Sequence, residues 1–276
     1  MKIKLPDTFN IDSSEKYILA IEISVEGYSF SMYNPVEDGS FFYHKVESGS
    51  HTDPFSAFKD FFFENEFLAY PFRKVFVINK TSEFTFIPKD VFEEKDKESF
   101  FSFNFPESEN KVLIQTLWKP ELVILHSLQE DVFEFFSRSF LKPSFIHHLS
   151  PLLSYFQERS RLGNAHKMII NLHETSLDVL CFSPSGDFMM ANSFSYNHLN
   201  DAVYYIFFIW KQFKMNQLRD FVYVAGNSSQ KVKLIEQVQK YVQNVIPVNI
   251  TLSEHFFGTN IQAVPFEFLS LTLCGL

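Results

Sequence analysis

Apolar residues along this chain crowd into short runs or recur at every second position. Elsewhere they recur at every third or fourth. Tyr17 to Ser24 is a short run rich in isoleucine and predicts a buried strand. Tyr28 to Tyr33 sets an aromatic residue or Met at alternate positions with Ser between, the pattern of a half-buried strand. Glu37-Asp38-Gly39 predicts a hairpin turn, because Asp-Gly accepts positive φ, and Ser40 to Val46 predicts a third strand. Together these predict an antiparallel meander. Asp53-Pro54 then opens a helix, with Asp as the cap, Pro at the first position, and Phe55, Phe58 and Phe62 among its apolar residues. Arg73 to Asn79 predicts a fourth strand, brought back to the same sheet by a crossover.

The middle of the chain reads differently. A short strand, Glu83 to Ile87, precedes Pro88-Lys89-Asp90 and a charged helix start. Lys111 to Leu117 and Leu122 to Ser127 predict a hairpin across Trp118-Lys119-Pro120-Glu121. Gln129 to Phe140 predicts a helix with Val132, Phe135, Phe136 and Phe140 on one face. Ser144 to His148 predicts a strand, and Ser150-Pro151 caps a helix reaching about Arg161. Arg161-Leu162-Gly163-Asn164 ends that helix and sets the expected boundary between residues 1–163 and 164–276.

Beyond the boundary the opening pattern returns. His166 to Leu172, Ser176 to Phe182 and Phe188 to Tyr196 predict three strands, the last two joined by a turn at Gly186. Asn197 or Asn200 caps a helix to about Phe213, and Arg219 to Ala225 predicts a fourth strand. Ser229 to Val242 predicts a helix, Ile246 to Ile250 a fifth strand, and Leu269 to Leu273 is an apolar tail. The order strand, strand, strand, helix, strand thus occurs twice, offset by roughly 147 residues. The predicted fold class is α/β, built from two duplicated halves.

Composition narrows the chemistry. Only eight glycines occur in 276 residues, under half of the usual ~7 % share. Phosphate-binding loops need glycine where a Cβ would block backbone N–H groups from the ligand. The 36 phenylalanines reflect either a packing demand or codon bias. A net charge of −9 disfavours nucleic-acid backbones and anionic membrane surfaces. Cys181 and Cys274 form no Cys-x-x-Cys pair and no zinc-spaced cluster, which fits a reducing cytoplasm. The amino terminus lacks an apolar signal-peptide core, and the most apolar run, Val203 to Trp210, is far short of the ~20 residues of a membrane span.

A doubled βββαβα unit is the mark of two ribonuclease-H-like halves, and the chain resembles the actin-like ATPase superfamily over roughly residues 17 to 250. Within it, the chain looks like an uncharacterised bacterial family with degenerate phosphate motifs. The resemblance implies ATP and Mg²⁺ in a cleft between the halves, a phosphate hairpin from each half, and a glycine loop at the adenosine. Ile21-Glu22-Ile23-Ser24 occupies the first hairpin, with Glu22 in place of Asp and Ser24 in place of Gly. Asn171-Leu172-His173-Glu174-Thr175 occupies the second, where Asn171 removes a carboxylate and His173 replaces a glycine. Ala225-Gly226-Asn227-Ser228 occupies the adenosine loop and keeps one glycine of two. The implied nucleotide-binding set is therefore Ser24, Asn171, His173, Thr175, Gly226 and Asn227, with Glu22 as the catalytic residue of an active enzyme.

Other chemistries fit less well. A two-metal nuclease needs converging carboxylates, and Asn79 and Asn171 stand where they are wanted. His147-His148 on one strand point to opposite faces and are read as structural, as are His44, His51 and His126. No P-loop and no Gly-x-Ser-x-Gly elbow occurs. Glu93 to Glu98 reads as a solvated helix face. The aromatic runs Phe61-Phe62-Phe63 and Phe207-Phe208-Ile209-Trp210 cannot face one side of a helix, so part of each meets a second layer or a protein partner, a homodimer included. The expectation is a cytoplasmic interaction protein, non-catalytic or weakly nucleotide-binding, with no metal site, no nucleic acid and no membrane span. The alternative is an active Mg²⁺-dependent ATPase with ATP between the halves.

Overall fold

The structure is a computed structural model and describes residues 3, 5, 9–24, 27–47, 53–248, 250 and 260–274. His51 of the sequence reading lies outside them, as does most of the turn between the first two strands. The chain divides into two compact units, parting between His148 and Leu149.

The first unit opens with β1 (Ile18–Ser24), β2 (Gly27–Tyr33) and β3 (Phe42–Glu47) as an antiparallel meander. After α1 (Pro54–Glu64), β4 (Lys74–Asn79) returns parallel to β1. There follow β5 (Phe84–Pro88), α2 (Lys97–Asn104), β6 (Lys111–Trp118), β7 (Glu121–Leu128), α3 (Glu130–Ser139) and β8 (Ser144–His147). The main sheet runs β3-β2-β1-β4-β8, and the inserted hairpin pairs with β5 as a separate sheet, β5-β7-β6. The charged segment 93–98 forms a tight 3-10 turn and only the start of α2. Its side chains are mostly exposed, and Lys95 pairs with Glu93 and Lys97 with Glu98.

The second unit begins with α4 (Leu149–Ser160), so Ser150 and Pro151 lie inside the first helical turn rather than before it. Then come β9 (Lys167–Leu172), β10 (Ser176–Phe182), β11 (Phe188–Ser195), α5 (Leu199–Gln212), β12 (Phe221–Gly226), α6 (Lys231–Gln239), β13 (Asn244–Pro247) and α7 (Phe266–Cys274). The sheet order β11-β10-β9-β12-β13 repeats that of the first unit. The α5 cap is His198, not either asparagine: Asp201 accepts from the His198 N–H at 3.0 Å, closing a capping box. The last strand starts at Asn244, two residues before the first apolar position of the predicted strand, because Asn244 pairs with Phe221 at the edge. The apolar tail is helical, and it packs against α4. Among the described residues no helix is long and apolar enough to cross a membrane.

Strand alternation decides what each sheet face holds. In β1, Leu19 and Ile21 join Phe30, Phe58, Phe61 and Phe136 in one core, so Glu22 takes the other face. The α1 and α3 helices meet through phenylalanine: Phe58 stacks on Phe136 at 5.3 Å and Phe62 meets Phe140 edge-on at 5.6 Å. Much of the phenylalanine excess in this unit is therefore a packing demand. Phe61 is buried, Phe62 half-buried and Phe63 exposed, which resolves the three consecutive aromatics into three environments.

Asp53 caps α1 as its sequence predicts, accepting from the Ser56 N–H at 2.8 Å and the Ser56 hydroxyl at 2.9 Å. The Ser56 N–H bond holds its carboxyl below the usual aspartate range. Asp53→Ala is expected to cost about 1 kcal/mol at neutral pH. A carboxylate with a lowered pKa stabilises above its unfolded pKa and loses that contribution as pH falls through the folded value. Thermal unfolding of both proteins at neutral pH and at about pH 3 checks this: the gap between them should narrow in acid.

Candidate functional site

In β9 and β12 the strands run parallel, and Leu172 pairs with Gly226 where both end. Ligands of α/β sheets gather outside such carboxyl ends. The chain leaves β9 through a tight turn, in which the His173 N–H donates to the Ser176 carbonyl at 2.9 Å. It leaves β12 through Asn227 and Ser228 into α6. The Glu174 carboxylate ties the two loops together, accepting from the Ser229 N–H at 2.7 Å and its hydroxyl at 3.1 Å.

Residues 171 and 173 turn inward, to the sheet face opposite the Met168, Ile170 and Leu172 core. Asp178, fully buried and directly across from Asn171, is the acceptor they share. Asn171 Nδ2 and His173 Nε2 each donate to Asp178 Oδ2 at 3.0 Å, and the Ser193 hydroxyl donates to Oδ1 at 2.7 Å. Glu267 of α7, also fully buried, lies 3.5 Å from Asn171 Nδ2. The buried Tyr196 hydroxyl fastens the turn by donating to the His173 carbonyl at 2.6 Å. Thr175 is exposed, and its carbonyl accepts from the Tyr196 N–H.

Beside this cluster lies a pocket of about 420 Å³ lined by Gly226, Asn227, Lys231, Val232, Ile261 and Phe266, among others. Lys231 Nζ donates to the Gly226 carbonyl at 3.2 Å, and burial lowers its pKa. Asn227 Nδ2 donates to the Ala263 carbonyl at 3.2 Å. Gly226 has a structural reason of its own. Its φ is +96°, and a Cβ there would stand 2.2 Å from the Leu172 carbonyl oxygen.

Five of the seven sequence candidates, Asn171, His173, Thr175, Gly226 and Asn227, thus meet at the strand ends of the second unit. Glu22 and Ser24 belong to the first. Glu22 is buried on β1 across from Ser29, and the Ser24 hydroxyl donates to the Gly27 carbonyl at 3.4 Å, bridging the β1–β2 hairpin. Ser24 borders a pocket of about 320 Å³ with Asp53, Asn79, Lys80, Thr81 and Gln129. That pocket occupies the matching place at the ends of β1 and β4.

The two histidine rings lie together and not on opposite faces of the strand. The β8 strand ends at His147, so alternation stops there, and the two rings lie side by side with centroids 4.4 Å apart. His126 joins them, 5.6 Å from His147. Burial and the neighbouring His148 push the His126 pKa down to about 3, so the imidazole is neutral and its Nδ1 accepts from Asn79 Nδ2 at 2.7 Å. Among the described residues no group of three His, Cys, Asp or Glu side chains is placed to hold a metal ion.

The sequence reading missed Asp178 and Glu267. Both carried a signal: a single acid inside an otherwise apolar strand (SLDVLCF) and a single acid inside an apolar helix (FEFLSLTLC). A buried acid demands partners, and here it has them.

Residues 6–245 match the family described as protein of unknown function (DUF3822). The chain belongs to this family. It is similar to a solved structure from Bacteroides thetaiotaomicron VPI-5482, a protein with actin-like ATPase fold and unknown function. Identity is 30 %, the TM-score is 0.84, and the match covers 97 % of this chain and 99 % of the other. It also resembles the PilM–PilN type IV pilus biogenesis complex at 14 % identity and a TM-score of 0.61, covering 94 % of this chain and 98 % of that one. At that identity the likeness is one of fold. No curated protein sequence matches. This family member therefore has the actin-like ATPase fold that the doubled βββαβα pattern implied, within an uncharacterised family.

Proposed function

We propose that this protein is a non-catalytic member of the actin-like fold that works by binding a protein partner in the cytoplasm. One observation carries the reading. At the second hairpin the groups that would face phosphate and metal-bound water are turned inward and bonded to one another, with Asn171 and His173 both held by Asp178. An imidazole directed into the protein stabilises the turn and presents no acid or base to a ligand. Gly226, the surviving glycine of the adenosine loop, is explained by the close approach to Leu172. The partner reading draws on fold likeness to PilM, which is found in a complex with PilN. The pocket beside Gly226 and Asn227 supports residual nucleotide binding as the second reading, since its lining joins Lys231 and Asn227 to apolar walls.

The test is thermal unfolding and phosphate release with and without Mg-ATP. We expect no Mg²⁺-dependent phosphate release and no thermal shift at millimolar ATP. A site filled at about 100 times its Kd would stabilise by roughly 2.7 kcal/mol, or about 5 to 11 °C in a chain of this size. Phosphate release that disappears in Glu22→Ala overturns the non-catalytic reading, and a shift of that order without release favours the second reading.

A further inference from the structure

We propose that the second unit holds a separate site for a small organic carboxylate with an apolar body, between α4 and the outer strands of the sheet. On this sheet face Phe221 pairs with Lys167, and Tyr223 lies in register with Ile169 on one side and Ile246 on the other. The face grows more open outward: Ile169 is buried, Tyr223 half-buried and Ile246 exposed. The α4 helix borders it with Tyr155, Phe156 and Arg159. The space between is a pocket of about 460 Å³, inside the range of about 300–1,000 Å³ usual for small-molecule sites.

Charge settles what the pocket suits. Its lining holds two cations, Arg159 and Lys167, and no carboxylate, on a chain of net charge −9. Lys167 is only 4 % exposed. Its ammonium has three donors, and the Ala165 carbonyl takes one at 3.0 Å. Arg159 is held in place, its guanidinium 3.7 Å over the Tyr155 ring and Nη1 donating to the Tyr155 carbonyl at 2.8 Å. Neither cation has an ion pair among the described residues. Asp220, whose charge acts on Lys167, is engaged with the N–H groups of His166 and Asn216. Aromatic and aliphatic walls around two such donors match an anionic head on an apolar tail, and the forked guanidinium suits a carboxylate. Neither the hairpin cluster nor the pocket at Gly226 contributes to this proposal.

Decanoate is the probe, titrated calorimetrically into the full-length protein, with decanol and acetate as controls. We expect saturable decanoate binding below about 1 mM, with each control at least about tenfold weaker, since decanol lacks the charge-assisted bond and acetate lacks the apolar chain. Arg159→Gln, an exposed change that preserves folding, should weaken binding about tenfold. Ile246→Glu sets a carboxylate on the exposed side of the pocket and should weaken it further. Decanoate that fails to saturate, or that binds both variants as tightly as the natural sequence, overturns the proposal. So does sedimentation of the protein as a dimer that excludes decanoate, which would mean that a second copy covers this strip.

Discussion

Gly226→Ala is expected to destabilise the second unit by about 3 kcal/mol or more, lowering its melting temperature by about 6 to 12 °C. Two costs add. At φ +96° an alanine is held in a region that L-residues avoid, at about 1–2 kcal/mol. The larger cost is steric. The new Cβ would lie 2.2 Å from the oxygen, 2.5 Å from the nitrogen and 2.8 Å from the carbonyl carbon of Leu172. These are backbone atoms of β9, a strand paired on both sides, with β10 and with β12. Relief therefore requires moving the sheet, not a side chain. Gly163→Ala is the internal control. It has φ +80° and nothing within 4 Å of its Cβ, so only the conformational cost of about 1–2 kcal/mol applies. Denaturant unfolding of the two variants separates these effects. Equal losses would mean that the β9–β12 approach does not require glycine and that the positive φ alone does.

Much of the fold and the place of the site at the strand ends could be read from the chain, but the bonds within the site could not. Strand and helix positions follow from periodicity, which is local: YSFSMY alternates, Asp53-Pro54 caps, and the repeat puts β4 and β12 at Lys74 and Phe221, 147 residues apart. The five-strand order then follows from the meander and the right-handed crossover. The site depends on contacts between segments distant in sequence. That His173 turns inward is set by Asp178 and Tyr196, and Glu267 reaches Asn171 across 96 residues. No period in the sequence records such a meeting. Strand alternation does not separate His147 from His148, because the strand ends at His147. A contact also sets the α5 cap: asparagine is the commoner cap, but the His198 N–H donating to Asp201 selects His198.

Asp178→Ala is expected to cost about 3–5 kcal/mol, because it leaves several buried donors without their shared acceptor. Three donors converge on this one carboxylate, from Asn171, His173 and Ser193, at 3.0, 3.0 and 2.7 Å. Asp178 is 0 % exposed, and so is Asn171, so water cannot readily replace the lost acceptor. Each donor left without one costs about 1–3 kcal/mol. Asp178→Asn keeps the shape and one carbonyl oxygen, but turns an amide N–H₂ toward groups that also donate. It should cost about half as much. Differential scanning calorimetry of both variants gives the ranking, alanine worse than asparagine, with or without nucleotide present. A carboxylate whose task was to hold Mg²⁺ water would behave in the opposite way. Both substitutions would leave unfolding unchanged without ligand, and both would abolish any stabilisation by Mg-ATP. That result would make the Asn171–His173–Asp178 cluster a working site, and with it the non-catalytic reading of the protein would fall.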